Sequence, residues 1–130
     1  MADDKVLPQV KKALRKDGWK LDAKGVAMRE DGHQFFIDLR GEKDGQMIAV
    51  EVKSFLGNFM QDWHLALGQY LNYKALLAKR APDHVLYLAV PETTYAEYFA
   101  SPFIQNMVEL YKVNLLIFNP NNTAIEWKRQ

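Results

Sequence analysis

The sequence contains no cysteine, so disulfides and thiolate metal sites are both excluded. No apolar run approaches the roughly 20 residues needed to span a bilayer. There is no surplus of one charge either: 17 basic side chains face 16 acidic ones, a net charge of +1. A protein that depends on non-specific phosphate contacts usually carries a basic excess, so any nucleic-acid site here has to be local. Internal repeats, low-complexity tracts and linkers are missing as well. The opening "MADDKVLPQV" is acidic and polar, unlike a secretory signal. These absences set the expectation of one domain over residues 1–130, cytoplasmic and off the membrane.

What the chain has is a succession of short apolar patterns. Val6, Leu7, Val10, Ala13 and Leu14 recur at helical spacing. Asp3 or Asp4 can cap that helix, Pro8 is tolerable in its first turn, and "KDG" stops it. "WKL" and "VAM" read as weaker strands. "REDGH" turns the chain into "HQFFIDL", and "GEKDG" turns it again into "QMIAVEVK"; such runs bounded by Asp-Gly signal hairpins. After "SFLGN" a helix is expected over about Gln61 to Lys79. Trp63, Leu67, Tyr70, Leu71 and Leu77 lie near one stripe of it, and Lys79 and Arg80 suit its C-terminus. "VLYLAV" is a continuous apolar run of the kind buried on both faces. A helical stretch interrupted at Ser101–Pro102, then "VNLLIF", the turn "NPNN" and a last strand "TAIEW" complete the chain. Strands first, then alternation, predict an α/β fold: a mixed sheet with helices packed on it.

Charge appears in unexpected places in "QFFIDLRGEKDGQMIAVEVKSFLG", residues 34–57. An acid, any residue, then Lys is a cheap triplet; chance alone gives about one or two in a chain of this composition. There are four, and Glu51–Lys53 is the one at the end of a strongly apolar strand. Alternation puts Met47, Ala49, Glu51 and Lys53 on one face and Ile48, Val50 and Val52 on the other. If the "FFI" and "MIAV" strands pair as a hairpin, Asp38 lies across from Glu51, with roughly 5 Å between Cβ atoms. Two carboxylates that close repel, and one is driven toward protonation unless a divalent cation intervenes. Magnesium wants about six oxygens; Asp38, Glu51 and the backbone carbonyl of Val52 can supply three of them. Lys53 can orient a bound water or stabilise developing negative charge. The reaction class suggested is phosphodiester hydrolysis. From spacing alone, a solvated sheet face carrying a salt bridge is the commoner origin of such charges.

Other candidates carry less. His33, His64 and His84 are scattered without metal-ligand spacing. Ser54 lacks a sequence-adjacent base. Gly25, Gly32, Gly41, Gly45 and Gly57 read as turn residues and compose no phosphate-cradling loop. Trp19, Trp63 and "YAEYF" read as core or partner surface. Arg40, Lys43, Lys53 and Lys74 are candidates for a basic rim by the hairpin.

The order helix, hairpin carrying D…ExK, helix and strand resembles the restriction-endonuclease-like, PD-(D/E)xK nuclease superfamily. That resemblance implies an α-β-β-β-α-β core, metal-binding acids at Asp38 and Glu51, a catalytic Lys53, and Mg²⁺ or Mn²⁺ as cofactor. Gln69 and Tyr73 in "GQYLNY" share a helix face and are similar to the Q-x-x-x-Y element of RecB-like nucleases, which helps position the site and DNA. Plain helix packing accounts for that pair equally well. More narrowly, "VKKALRKDGW", "IAVEVKSFLG", "ALGQYLNYKALL" and "LYLAVPETTYAEYF" resemble the cyanobacterial fdxN element excision controlling factor family, XisH. This implies a role in site-specific excision of a DNA element, with DNA, a XisI-like companion factor and a site-specific recombinase as partners. It leaves a homodimer open, and also whether the fold cleaves DNA or serves as a non-catalytic adaptor. Two departures bear on that choice. "DLRGEKDGQ" is shorter than the family's loop, with Glu42 the nearest equivalent of its further acid. Asp3, Asp4 and Asp17 flank the first helix without sitting on it, which leaves a third metal ligand in doubt.

Overall fold

Helix α1 (Leu7–Lys16) buries Val10, Ala13 and Leu14, keeps Pro8 in its first turn and places Arg15 and Lys16 in its last. The structure, a computed structural model, describes residues 6–22 and 24–130. The Asp3 or Asp4 cap therefore lies outside the described residues. Val6 occupies the N-cap position and makes no side-chain cap bond. Strand β1 (Lys20–Asp22) follows, then two hairpins: β2 (Val26–Glu30) with β3 (His33–Ile37), and β4 (Leu39–Lys43) with β5 (Gln46–Val52). Both tips are Asp-Gly pairs in left-handed conformation, Asp31 and Gly32 in one and Asp44 and Gly45 in the other. Two successive positive φ angles give the turn whose twist matches that of the flanking strands.

This pairing corrects one expectation. "FFI" and "MIAV" do not form a hairpin together. "FFI" lies in β3, which pairs with β2 in a separate two-stranded sheet. The partner of β5 is β4, "LRGEK", most of which the pattern assigned to a turn. Only Leu39 and Gly41 of β4 are buried, so its apolar alternation is too thin to register as a strand. Gly41 is likewise a strand residue and not a turn residue. A Cβ there would come within 3.2 Å of Leu21 and 3.3 Å of Ile48.

Helix α2 (Phe59–Arg80) starts two residues before the expected Gln61, because Asn58 caps it by accepting from the Gln61 N–H at 3.1 Å. Strand β6 (His84–Pro91) comes next and leads into the short helix α3 (Glu92–Thr94), which widens into a π-type turn over Tyr95–Phe99. Helix α4 (Pro102–Leu110) follows, with Ser101 as its cap, and strands β7 (Leu115–Phe118) and β8 (Ile125–Lys128) finish the chain. The main sheet runs β1-β4-β5-β6-β7-β8, with β5, β6 and β7 mutually parallel and the other neighbours antiparallel. It is a mixed sheet flanked by helices.

Each face of the sheet carries its own core. On one side Ile48, Val50, Val52, Tyr87, Ala89 and Leu116 pack with Val10 and Leu14 of α1. On the other, Ala49, Leu86, Leu88, Val90 and Leu115 pack with Trp63, Ala66, Tyr70 and Leu77 of α2. β6 is thus buried on both faces, as its unbroken apolar run implies. The β2–β3 hairpin extends the α2 side, adding Val26, Met28 and Ile37 to that core. Near its tip, Glu30 meets Lys79 at 2.7 Å and Arg80 at 2.8 Å on the end of α2. Among the described residues, no helix is long and apolar enough to cross a membrane.

Candidate active site

The β4–β5 register pairs Leu39 with Val50, so one further step places Asp38 across from Glu51. Asp38 itself occupies the bend between β3 and β4. The two acids hold one another through the backbone. The Asp38 N–H donates to Glu51 Oε1 at 3.3 Å, and the Val52 N–H donates to Asp38 Oδ2 at 2.8 Å. Each carboxylate therefore satisfies a backbone donor that the bend removes from the sheet ladder. In a strand the N–H and C=O of one residue point to the same side, so the Val52 carbonyl opens toward Asp38 as well.

Alternation along β5 turns Glu51 toward the α2 side, where only 1% of it is exposed. Its Oε2 has no hydrogen-bond partner; Lys53 Nζ lies 3.5 Å away and attracts it without making a hydrogen bond. Burial pushes the Glu51 carboxyl up to about 7, the Asp38 charge adds to the rise, and Lys53 opposes it. Burial raises Asp38 too, against the Val52 N–H, which favours its charged form. A buried acid and a half-buried one this close cannot both ionise cheaply without a cation.

Tyr73 reaches the same place from α2. Its hydroxyl is pushed up to about 12, first by burial and then by the charges of Glu51 and Asp38. Gln69 sits one turn earlier, with its Oε1 enclosed and unpartnered. Among the described residues, the buried side-chain polar atoms without a hydrogen bond are Glu51 Oε2 and Gln69 Oε1. Orphaned buried oxygens are rare in folded proteins, and these invite a donor or a cation. The donor set suits a hard ion such as Mg²⁺ or Mn²⁺, which is held by one or two carboxylates, a carbonyl and waters. Among the described residues no third acid or histidine joins the pair.

The basic candidates do not converge. Arg40 Nε donates to His84 Nε2 at 2.9 Å, Lys43 pairs with Asp17 at 3.6 Å, and Lys74 Nζ donates to the Tyr111 carbonyl at 3.4 Å. Lys43 stands opposite Gln46, at the other end of β5 from Lys53, about 20 Å away at strand rise. His33 and His64 are exposed, whereas His84 is buried between Arg40 and Asp83. Sequence spacing did not reveal that three-residue chain, because its members are 44 and 1 positions apart and meet only through the sheet. Tyr70, the other tyrosine of "GQYLNY", is structural. Its hydroxyl donates to the Leu86 and Lys112 carbonyls at 3.2 and 3.3 Å and accepts from the Asn114 N–H at 2.9 Å.

The family model described as XisH protein matches residues 1–126. A crystal structure of an fdxN element excision controlling factor protein from Anabaena variabilis is 38% identical, with a TM-score of 0.91 over 96% of this chain and 98% of that one. An XisH family protein from Nostoc punctiforme is also 38% identical, at a TM-score of 0.90 over 95% and 98%. A protein of unknown function, AF1548, shares the fold at 12% identity and a TM-score of 0.54, over 87% of this chain and 57% of its own. No curated protein matches the sequence.

Proposed function

This chain belongs to the XisH family, and on that footing we propose that it is an excision controlling factor built on a restriction-endonuclease-like fold, with a divalent-metal phosphodiesterase site at Asp38, Glu51 and Lys53. The observation that carries this reading is the locked carboxylate pair, whose inner oxygen, Glu51 Oε2, is buried without a hydrogen bond. The order of elements supports it. With the β2–β3 hairpin set aside, the chain reads α1-β1-β4-β5-α2-β6, the α-β-β-β-α-β series of that superfamily.

Asp38, Glu51 and the Val52 carbonyl would hold Mg²⁺ or Mn²⁺. Such an ion, when bound, supplies a water of lowered pKa and offsets charge at phosphorus. The residues themselves divide the remaining work. Glu51 would give up its proton to the incoming ion, and Lys53, 3.5 Å from Glu51, lies beside the pair to orient a water or a phosphate oxygen. Tyr73 walls the site from α2, and Gln69, one turn earlier with an unpartnered Oε1, would help it to support the pair. DNA is the substrate class, with a XisI-like companion and a site-specific recombinase as working partners.

Calorimetric titration with Mn²⁺ tests the site. The parent should bind, and Asp38→Ala and Glu51→Ala should each abolish the heat; a parent that binds no Mn²⁺ overturns the reading. A second reading, a non-catalytic adaptor on the same fold, is favoured by a specific surface. Met60, Tyr98 and Phe103 are exposed around a groove of about 490 Å³, and the exposed Leu56 lies in the loop after Lys53. The adaptor predicts Mn²⁺-independent complex formation with a protein partner and intact DNA after incubation with metal.

A further inference from the structure

Asp38 stands at a corner shared by two hairpins. One step beyond the Leu39–Val50 pair sets it across from Glu51. One step beyond the Val26–Ile37 pair sets it across from Gly25. Gly25 has a φ of +66°, and a Cβ there would lie 2.2 Å from the Ile37 carbonyl oxygen and 2.8 Å from that of Asp38. These are backbone atoms, so no change of rotamer relieves the clash.

Nor can the surroundings readily give way. The Gly25 N–H is tied to the Asp22 carbonyl at 3.1 Å, and Asp22 pairs with Arg40 on β4. The rest of the hairpin is anchored by Val26, Met28 and Ile37, which are buried in the core on the α2 side. A side chain at position 25 would therefore push on the bend that carries Asp38. We propose that Gly25 is a positioning residue: its missing side chain lets the hairpin close so that Asp38 faces both Glu51 and the Val52 N–H.

The test compares Gly25→Ala with Gly32→Ala. Gly32 lies in the same hairpin at φ +78° and has nothing within 4 Å of its added Cβ, so it carries the backbone strain without the clash. Amide hydrogen exchange of Val52 reads the Asp38 bond directly and needs no metal. Gly25→Ala should speed Val52 exchange about tenfold or more, the worth of one hydrogen bond, while Leu88 in β6 keeps the parental rate. Mn²⁺ affinity measured by calorimetry should fall by about the same factor, and Gly32→Ala should leave both at parental values. Gly25→Asn, which tolerates left-handed backbone but adds the same Cβ, is the second variant.

Parental Val52 exchange in Gly25→Ala overturns the proposal, as does an equal effect in Gly32→Ala. So does undiminished Mn²⁺ affinity in the variants of a parent that binds, or global unfolding of both Gly25 variants. Only the Mn²⁺ arm rests on the metal-site reading. If the parent binds no Mn²⁺, that reading fails while Val52 exchange still decides the role of Gly25.

Discussion

Glu51 is where burial and charge conflict most directly. Its carboxyl sits near 4.5 in the unfolded chain and is raised to about 7 in the fold, mainly by burial. The folded state thus holds a proton that the unfolded state has released, and stability falls as pH rises through that interval. This contribution is fully present below pH 4.5 and is lost by the time pH passes about 7, on the order of 3 kcal/mol in all. Urea midpoints of the metal-free protein across that range should fall with pH, and Glu51→Gln should flatten the slope. A parental slope in Glu51→Gln would assign the effect to another group. Saturating Mn²⁺ should counter the trend, because the ion binds the deprotonated pair and the proton no longer competes at high pH. The face on which Glu51 lies was legible from the period of two in "QMIAVEV". Its burial was not, because that depends on α2 arriving from residues 59–80 to cover it.

The β2–β3 hairpin contrasts two kinds of attachment. Its tip is held by Glu30 against Lys79 and Arg80, whose side chains are 62% and 51% exposed. Ion pairs that wet are worth less than about 1 kcal/mol, so Glu30→Ala should barely move a denaturation midpoint and should matter less in high salt. Met28, buried in the core on the α2 side, anchors the same hairpin by packing, and Met28→Ala should cost about 2–5 kcal/mol. Equal losses from the two variants, measured by urea denaturation, would mean that the clamp carries as much as the core does. Both Asp-Gly tips were readable as turns because their residue types suit left-handed backbone. The strand partners were not. Asp38 breaks what looks like one continuous strand into β3 and β4, and nothing local marks a bend whose hydrogen bonds are supplied by Glu51 and Val52.

At the scale of the whole molecule, the sheet separates two cores, and α2 dominates the larger one. Trp63 is 1% exposed and meets Phe99 edge-on at 5.5 Å, so Trp63→Ala should cost about 3–5 kcal/mol in urea denaturation. Tyr70→Phe keeps the ring but orphans the Asn114 N–H and the Lys112 carbonyl, while the Leu86 carbonyl keeps the Asn114 side-chain amide, and should cost about 1–3 kcal/mol. A near-neutral Tyr70→Phe would show that water replaces the hydroxyl. The parallel trio β5-β6-β7 was foreshadowed by "VLYLAV" and "VNLLIF", since runs apolar on every position fit strands covered on both sides. The convergence of the site was only half visible. Asp38, Glu51 and Lys53 are close in sequence, whereas Tyr73 meets them through helix packing and Gly25 through a second hairpin.

That second hairpin is also a usable handle. The Asp31–Gly32 tip lies six residues from Asp38, about 20 Å at strand rise, and a Cβ at Gly32 would meet nothing within 4 Å. An insertion there falls on exposed turn residues, outside the buried contacts of the hairpin. An epitope or dye grafted at the tip would ride on a two-stranded arm whose base abuts the carboxylates. It would allow the protein to be immobilised or tracked with that end of the sheet left uncovered.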